Sequence, residues 1–431
     1  MKRNWTRRGF CKAVGVTGLA TVAGSTVWVR RAPAASTRAV TLMTWSHFVP
    51  PFNPEVERQL AEWSKLRGAE ARVDFIAVRD LPAKLAAEAE GQAGHDIIHL
   101  RLFDAALQRA NLVELDDVAA DLEKSMGPWL DPARYLCQVG GHWYGIPWYY
   151  WSLPATINTE HWRKIGLGPE DVAKLTWEGL LDPAEKLVKL GSPLGFALSE
   201  TFDANDALYP VLWSFGGRTV DEKGKVVINS AETAAAIEYV KKLYKFMPRE
   251  VLGWDDASNN VFMLNGTGAW TPNAPSVWAV ARKDKMPVAD KIDHVPLPAG
   301  ARGQFRSAST LALGVWKFSP NIDLAKDLIR FLASKQNVSA QIAASWGFNQ
   351  PFLGGNRGHK IYKDEPALRY YEPPLEQIRV PGWPGPANAG AQTAYTLFVV
   401  PVMFAKAVSG EASTADAIKW AEKTLNRLYW G

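Results

Sequence analysis

Between residues 39 and 110 short apolar stretches alternate with helical ones, and this alternation constrains the fold more than any other feature of the chain. Ala39–Trp45 alternates apolar and polar residues, as a strand does. Residues 54–65 carry Val56, Leu60 and Trp63 at helical spacing, with Asn53 expected to cap the helix ahead of Pro54. Residues 71–77 read as a second strand and 81–90 as a second helix. A turn at Gly91 and Gly94 leads to a short apolar strand over 96–100, then a third helix over 102–110. The order β-α-β-α-β predicts an α/β fold with a mostly parallel sheet flanked by helices. Ligands of such sheets sit beyond the carboxyl ends of the strands. That directs attention to Trp45, Ser46 and His47, and to the residues just after Leu100.

Ahead of this region, residues 1–34 read as an export leader. Arg7 and Arg8 are followed by Phe10, then by a Gly/Thr/Ala-rich apolar run from Ala13 to Val29, then by Ala32-Pro33-Ala34. The paired arginines resemble a twin-arginine signal, and the small residues form a cleavage site. The expected location is therefore the periplasm. The leader holds seven of the basic residues (Lys2, Arg3, Arg7, Arg8, Lys12, Arg30, Arg31) and no acid, so its removal takes the formal net charge from +5 to −2. The basicity that would suggest nucleic acid belongs to the segment that is cut off, and nucleic acid is not an expected partner. Of two cysteines, Cys11 lies in the leader and Cys137 stands alone, which excludes an intramolecular disulfide and a cysteine zinc site. Cys11 lacks the small apolar run of a lipidation site, so a soluble protein is expected. No later segment is expected to span a membrane.

The 397 residues after the leader are too many for one core and suit two lobes. Seventeen of the 19 tryptophans remain in them, more than a core needs, so some should line a cleft.

Seven blocks in order resemble the bacterial extracellular solute-binding proteins of the maltose-binding type, the receptor components of ABC importers. They are Leu112-Val-Glu-Leu-Asp-Asp117; Tyr144-Gly-Ile-Pro147 with Ile157-Asn158-Thr-Glu160; Lys164-Ile-Gly166 with Thr176-Trp177-Glu178; Leu212-Trp213-Ser-Phe-Gly216-Gly217; Asp221-Glu-Lys-Gly224 with Asn229-Ser-Ala-Glu232; Phe262 to Trp270; and Pro296-Leu-Pro298 through to Ala325-Lys-Asp-Leu-Ile-Arg-Phe-Leu332. The resemblance implies the type II periplasmic binding protein fold: two α/β lobes, each a mostly parallel sheet, joined by crossings near 147–153, 294–308 and 346–352. It divides the chain into residues 35–148 plus 300–347 for the N-terminal lobe and 149–299 plus 348–431 for the C-terminal lobe. It implies hinge closure around a small solute, delivery to permease subunits, a monomer, and no cofactor.

A sugar ring has apolar faces that an aromatic covers and a hydroxyl rim that charged and amide groups hydrogen-bond. The residues expected to touch a carbohydrate or polyol are Trp45 and His47 after the first strand, Arg101 and Asp104 after the third, and Trp148, Tyr149 and Tyr150 in the first crossing. Glu200, Trp270 and Asn273 join them from the second lobe, with Trp346 and Trp383 from Gly/Pro-rich loops. Trp45 could equally pack beneath the following helix, and Glu200 could equally cap a helix. At least one ring of the run 148–151 must face a core. Leu100 stands where maltose binders often carry an aromatic, which argues against a maltodextrin. Trp213 is expected in a core, and Asp116-Asp117 and Asp255-Asp256 in turns or caps. His95 and His99 flank a strand, where a four-residue spacing does not chelate, so no metal site is expected.

The competing class is an enzyme. The chain has no GxSxG elbow, HExxH, Walker loop or GxGxxG after a strand, so no catalytic residue is expected. A glycosidase needs only two acids that can lie far apart in sequence, and no motif excludes it. Polyamines and glycerophosphates are the alternative solutes.

Overall fold

The computed structural model describes residues 39–430; the expected leader, with Cys11 and the paired arginines, lies outside them. The first strand, β1, is Ala39–Trp45, as expected. The helix Phe52–Arg67 follows, then β2 (Glu70–Ile76), the helix Leu81–Gly91 and β3 (Ile97–Arg101). β1 pairs in parallel with both β2 and β3. The predicted parallel core of the sheet is present.

Two local expectations fail. Asn53 does not cap its helix, which starts two residues earlier than expected, at Phe52 behind Pro51. Its side chain turns back instead, accepting from the His47 N–H at 3.1 Å and donating to Ser46 Oγ at 3.4 Å. The helix expected over 102–110 is broken into Asp104–Leu107 and a 3-10 turn, Arg109–Asn111. Leu102 has φ of 38°, a left-handed conformation that a branched side chain adopts only under constraint. The constraint is visible. The Leu102 N–H donates to Thr310 Oγ1 at 3.1 Å, and Asp104 Oδ2 accepts the Arg101 N–H at 2.8 Å.

After two short strands, β4 (Gln138–Val139) and β5 (His142–Trp143), the chain enters β6 (Ile146–Ser152) and β7 (Ala155–Asn158). β8 (Trp270–Pro272) and β9 (Ile292–Val295) flank β7 in a three-stranded sheet that is antiparallel rather than mostly parallel as expected for each lobe, because both neighbours run opposite to β7. The long strand β10 (Arg306–Val315), buried at all ten residues, returns to the first sheet antiparallel to β3 and β6. A last short strand, β11 (Ile378–Arg379), pairs with the start of β10. The first sheet is thus β6-β10-β3-β1-β2, with β11 at one end of β10.

Two buried cores follow the two sheets. Trp45, Trp63, Leu100 and Leu313 belong to the first; Ile157, Trp162, Trp177 and Trp213 belong to the second, Trp213 as expected. The first core runs on into segments assigned by sequence to the second lobe. Phe348, Phe352, Tyr362 and Tyr371 are part of it, with Trp278 of the helix Ser276–Lys283. The reason is backbone pairing: Tyr150 and Gln350 exchange hydrogen bonds at 2.9 and 2.8 Å. The three segments expected to cross between lobes therefore lie side by side, with β6 between β10 and Gln350.

The stretch Ala389–Ser409 corrects one expectation, being 21 residues long with mean hydropathy 1.3, apolar enough to cross a membrane by length and composition. It is two helices, Ala389–Thr396 and Val399–Ser409, broken at Phe398 with φ of 52°, and Tyr395, Val400 and Phe404 are buried in the cores.

Candidate functional site

The carboxyl end of β3 is where the two halves of the molecule meet. A narrow cavity there is lined by Leu81, His99, Arg101 and Asp104 on one side and by Phe202, Gln392 and Tyr395 on the other. Strand β3 aims Arg101 across this boundary. Its guanidinium carbon lies 3.9 Å above the Phe202 ring and 5.8 Å from the rings of Trp151 and Tyr395. The residue is 3% exposed. Nη2 donates to the Tyr395 hydroxyl at 3.3 Å, but Nε and Nη1 have no acceptor, and no carboxylate is within ion-pair distance among the described residues. An enclosed guanidinium with three unmet N–H donors costs several kcal/mol unless something accepts them, judged by the effective penalty for burying an ion. Beside it His99 bonds through Nδ1 to Thr44 Oγ1 at 3.2 Å and leaves Nε2 without a partner; burial holds its pKa well below the usual value.

Four acids surround this guanidinium. Burial pushes the Asp104 carboxyl up to about 7, against the opposing pull of the Arg101 N–H. Burial likewise raises Asp206 to about 6, although Ser307 and Ser309 donate to its two oxygens at 2.9 and 2.6 Å. Those bonds tie the helix Phe202–Phe215 to β10. Asp203 and Asp256 are half-buried; burial raises both, and Asp256 raises Asp203 further by repulsion. Sequence reading missed Asp203, Asp206 and Asp256 because no spacing brings 203–206 next to 256. It missed Phe202 and Tyr395 for the same reason.

The aromatic run of β6 divides by face. Trp151 stacks on Trp45 at 5.1 Å and 11°, and Phe348 packs on both. Trp45 Nε1 donates to the Tyr149 hydroxyl at 2.7 Å. Trp151 alone of the run approaches Arg101, whose guanidinium carbon lies 5.8 Å from its ring, and it is the ring left out of the expected set. Period-two alternation along a strand was the available signal. Trp148 packs against Phe52 and Tyr149, and the Tyr150 hydroxyl accepts from Arg357 at 3.1 Å. These are core contacts, and Trp45 and Tyr149 form a layer behind Trp151.

The remaining expected residues fall elsewhere. His47 is 1% exposed and fully used: Nδ1 accepts the Val49 N–H at 2.9 Å, so Nε2 donates to Asn349 at 3.1 Å. Burial lowers its pKa to about 3. Glu200 is exposed in a shallow groove with Leu252 and Lys406, apart from the Arg101 cavity. Trp270, read as a stacking platform, lies in the second core at 1% exposure, edge-on to Trp177 and Phe196. Its place in β8, hydrogen-bonded against β7, turns the ring inward. Asn273 bonds to Asn260 at 2.7 Å within a buried amide network. Trp346 packs edge-on to Trp278, and half-exposed Trp383 rests on Phe305 and Arg379. Only Arg101 and Asp104 of the expected residues line the cavity. His95, considered and rejected as a ligand, bonds to Glu88 and Asp74 at 2.6 and 2.9 Å. Asp255 does serve a local turn, accepting the Ala257 N–H at 3.3 Å, whereas Asp116 reaches across to the Trp143 N–H of β5 at 2.7 Å, a contact from a remote segment.

The comparisons decide the family. The bacterial extracellular solute-binding protein family matches over residues 52–339, more than half of the chain. The chain belongs to the bacterial extracellular solute-binding proteins. A probable ABC transporter-binding protein of Deinococcus radiodurans is 27% identical over 244 residues. That similarity covers 54% of this chain and 55% of the relative, so the chain spans about half of that relative's length. Among solved structures, maltose-bound MalE3 of T. maritima has a TM-score of 0.75 at 22% identity, over 90% of this chain and 99% of the other. A solute-binding protein of Thermotoga lettingae bound with α-D-tagatose has 0.76 at 18%, over 91% and 99%. The GacH receptor of Streptomyces glaucescens has 0.75 at 19%, over 91% and 98%. These similarities establish the two-lobed type II fold that the sequence predicts.

Proposed function

We propose that this solute-binding protein is the receptor of an ABC importer and captures a carbohydrate or polyol between its lobes. The observation that carries this is Arg101, buried between aromatic rings where the halves meet, with three N–H donors unmet and the Asp104 carboxyl lining the same cavity. Hydroxyls both accept and donate, so a polyhydroxyl solute answers both groups, while Trp151 and Phe202 offer rings to its C–H faces. The relatives bound to maltose, tagatose and acarbose support the same class.

The lobes follow the chain division given above except that Phe348, Phe352, Tyr362, Tyr371 and Trp278 pack with the first core, and closure pivots on the adjacent segments of β6, β10 and 346–352. The leader directs a monomeric, soluble protein to the periplasm by the twin-arginine route, where permease subunits read the closed form. The protein needs no cofactor and performs no catalysis. A thermal-shift screen against sugars, polyols, polyamines and phosphorylated solutes tests the proposal, because a ligand of the native state raises the melting temperature. A shift with one sugar or polyol group is expected. Shifts with phosphorylated solutes alone, or turnover of an oligosaccharide, would overturn it.

A further inference from the structure

Next to the cavity residue Phe202, two carboxylates have no counter-ion. Asp203 lies in the first turn of the helix Phe202–Phe215, and Asp256 precedes the helix Ser258–Leu264. The Asp203 N–H donates to Asp256 Oδ1 at 3.0 Å, and Asn259 Nδ2 donates to Asp203 Oδ2 at 2.7 Å. Neither acid forms an ion pair among the described residues, and the one cation whose field lowers both is Arg101. The neighbouring acids are occupied otherwise, Asp206 by two serine hydroxyls and Asp104 by the Arg101 N–H. Burial and repulsion between the two disfavour charging both carboxyls together, and a positive partner nearby would offset that.

Arg101 and His99, 3% and 2% exposed, present unpartnered Nε, Nη1 and Nε2 atoms to the cavity that Phe202 also lines. An occupant must bring acceptors to Arg101 and a donor to the acid pair. Neutral hydroxyls meet the first need. At the acid pair a hydroxyl gives a hydrogen bond but leaves the repulsion in place; an ammonium group gives the bond and removes the repulsion. Phe202, one residue from Asp203, contacts the rings of Tyr395 and Phe398, and these rings add faces that favour a cation. An anionic solute would meet three or more carboxyls for one guanidinium.

We infer that the solute is a polyhydroxyl compound bearing a protonated amine, an amino sugar or aminated polyol, with its ammonium held by Asp203 and Asp256 and its hydroxyl oxygens by Arg101. This rests on the solute-binding reading above and narrows it.

Calorimetric titration of the purified protein with matched probes tests it: glucosamine, glucose and N-acetylglucosamine; galactosamine and galactose; glucamine and sorbitol; and spermidine. The pH is kept where the amines are protonated. The amine of at least one matched set should bind about tenfold or more tighter than its neutral partners, the scale of one charged contact. Asp203→Asn and Asp256→Asn should reduce that ratio to about threefold or less while the neutral partner still binds, which also shows that the variants are folded. Equal or tighter binding of the neutral or N-acetylated partner overturns the amine and leaves the carbohydrate reading standing. Binding of spermidine alone keeps an amine site but overturns the polyhydroxyl part of both. No binding by any probe to the folded protein overturns both.

Discussion

Arg101 and the acids around it show how far single residues act on one another through burial. Asp104 makes the point most simply. Its carboxyl accepts a backbone N–H, which favours the charged form, yet burial outweighs that bond and raises the pKa to about 7. An acid raised on folding binds more protons in the native state than in the unfolded one. Its contribution to stability is therefore lost as pH rises from the unfolded value near 4 to about 7. Asp104→Asn keeps the acceptor and removes the ionisation. Its melting temperature relative to the parent should climb between pH 5 and pH 8, with an upper figure of about 4 kcal/mol from a shift of about three units. A pH-independent difference in melting curves would show that Asp104 does not carry the titration. Leu102, with its left-handed backbone beside this acid, marks the same spot as one where tertiary contacts hold local geometry.

At the scale of elements, strand β6 sorts its aromatics by face. Trp151→Ala should weaken solute binding by about 1–3 kcal/mol, the value of a large buried ring, with a smaller loss of stability. Trp148→Ala should leave the affinity of the folded protein unchanged and lower its stability by about 3–5 kcal/mol, as emptying a packed aromatic site does. Trp270→Ala belongs with the second case, because its ring fills the second core. Denaturant unfolding and titration on the same variants separate the two effects; weaker binding in a fully folded Trp270→Ala protein would restore that ring to the site. The helices show a parallel division. Phe52–Arg67 follows its apolar spacing and ends at Gly68 in the left-handed conformation, where the Gly68 N–H reaches Ser64 at 3.0 Å. Its start follows a tertiary demand instead, since Asn53 is drawn to the β1 end.

Across the whole molecule, residues 381–396 strap the two halves together. The Tyr135 hydroxyl donates to the Gly385 carbonyl, and the Phe103 N–H donates to Gln392 Oε1 at 2.9 Å. Gly385 is wedged so tightly that a Cβ there would lie 2.7 Å from Val220 and 3.0 Å from the Asp221 carbonyl. Helix 131–137 of the first half and the turn at Asp221 of the second thus grip one strap. Tyr135→Phe removes one grip. If the closed form owes about 0.5–1.5 kcal/mol to that bond, apparent affinity should fall about two- to tenfold. Small-angle scattering should show a larger radius of gyration at equal ligand. A change in affinity with no change in dimensions would separate the strap from closure.

The sequence by itself determined the strands β1, β2 and β3, their parallel pairing, the family through its ordered blocks, and the cavity position at the end of β3. Local periodicity and strand order carry that information, because burial imposes a period of two or 3.6 whatever the distant chain does. Arg101 and Asp104 were legible because they sit one strand-end away from that rule. Tertiary structure decided which aromatics serve the core. His47, Trp148, Tyr150 and Trp270 meet partners from remote segments, Asn349, Phe52, Arg357 and Trp177, which no local pattern encodes. It also decided the acid pair. Asp203 and Asp256 lie far apart in the chain and become neighbours only when two helix starts converge beside Arg101, and a carboxylate's pKa depends on that enclosure rather than on its place in the sequence.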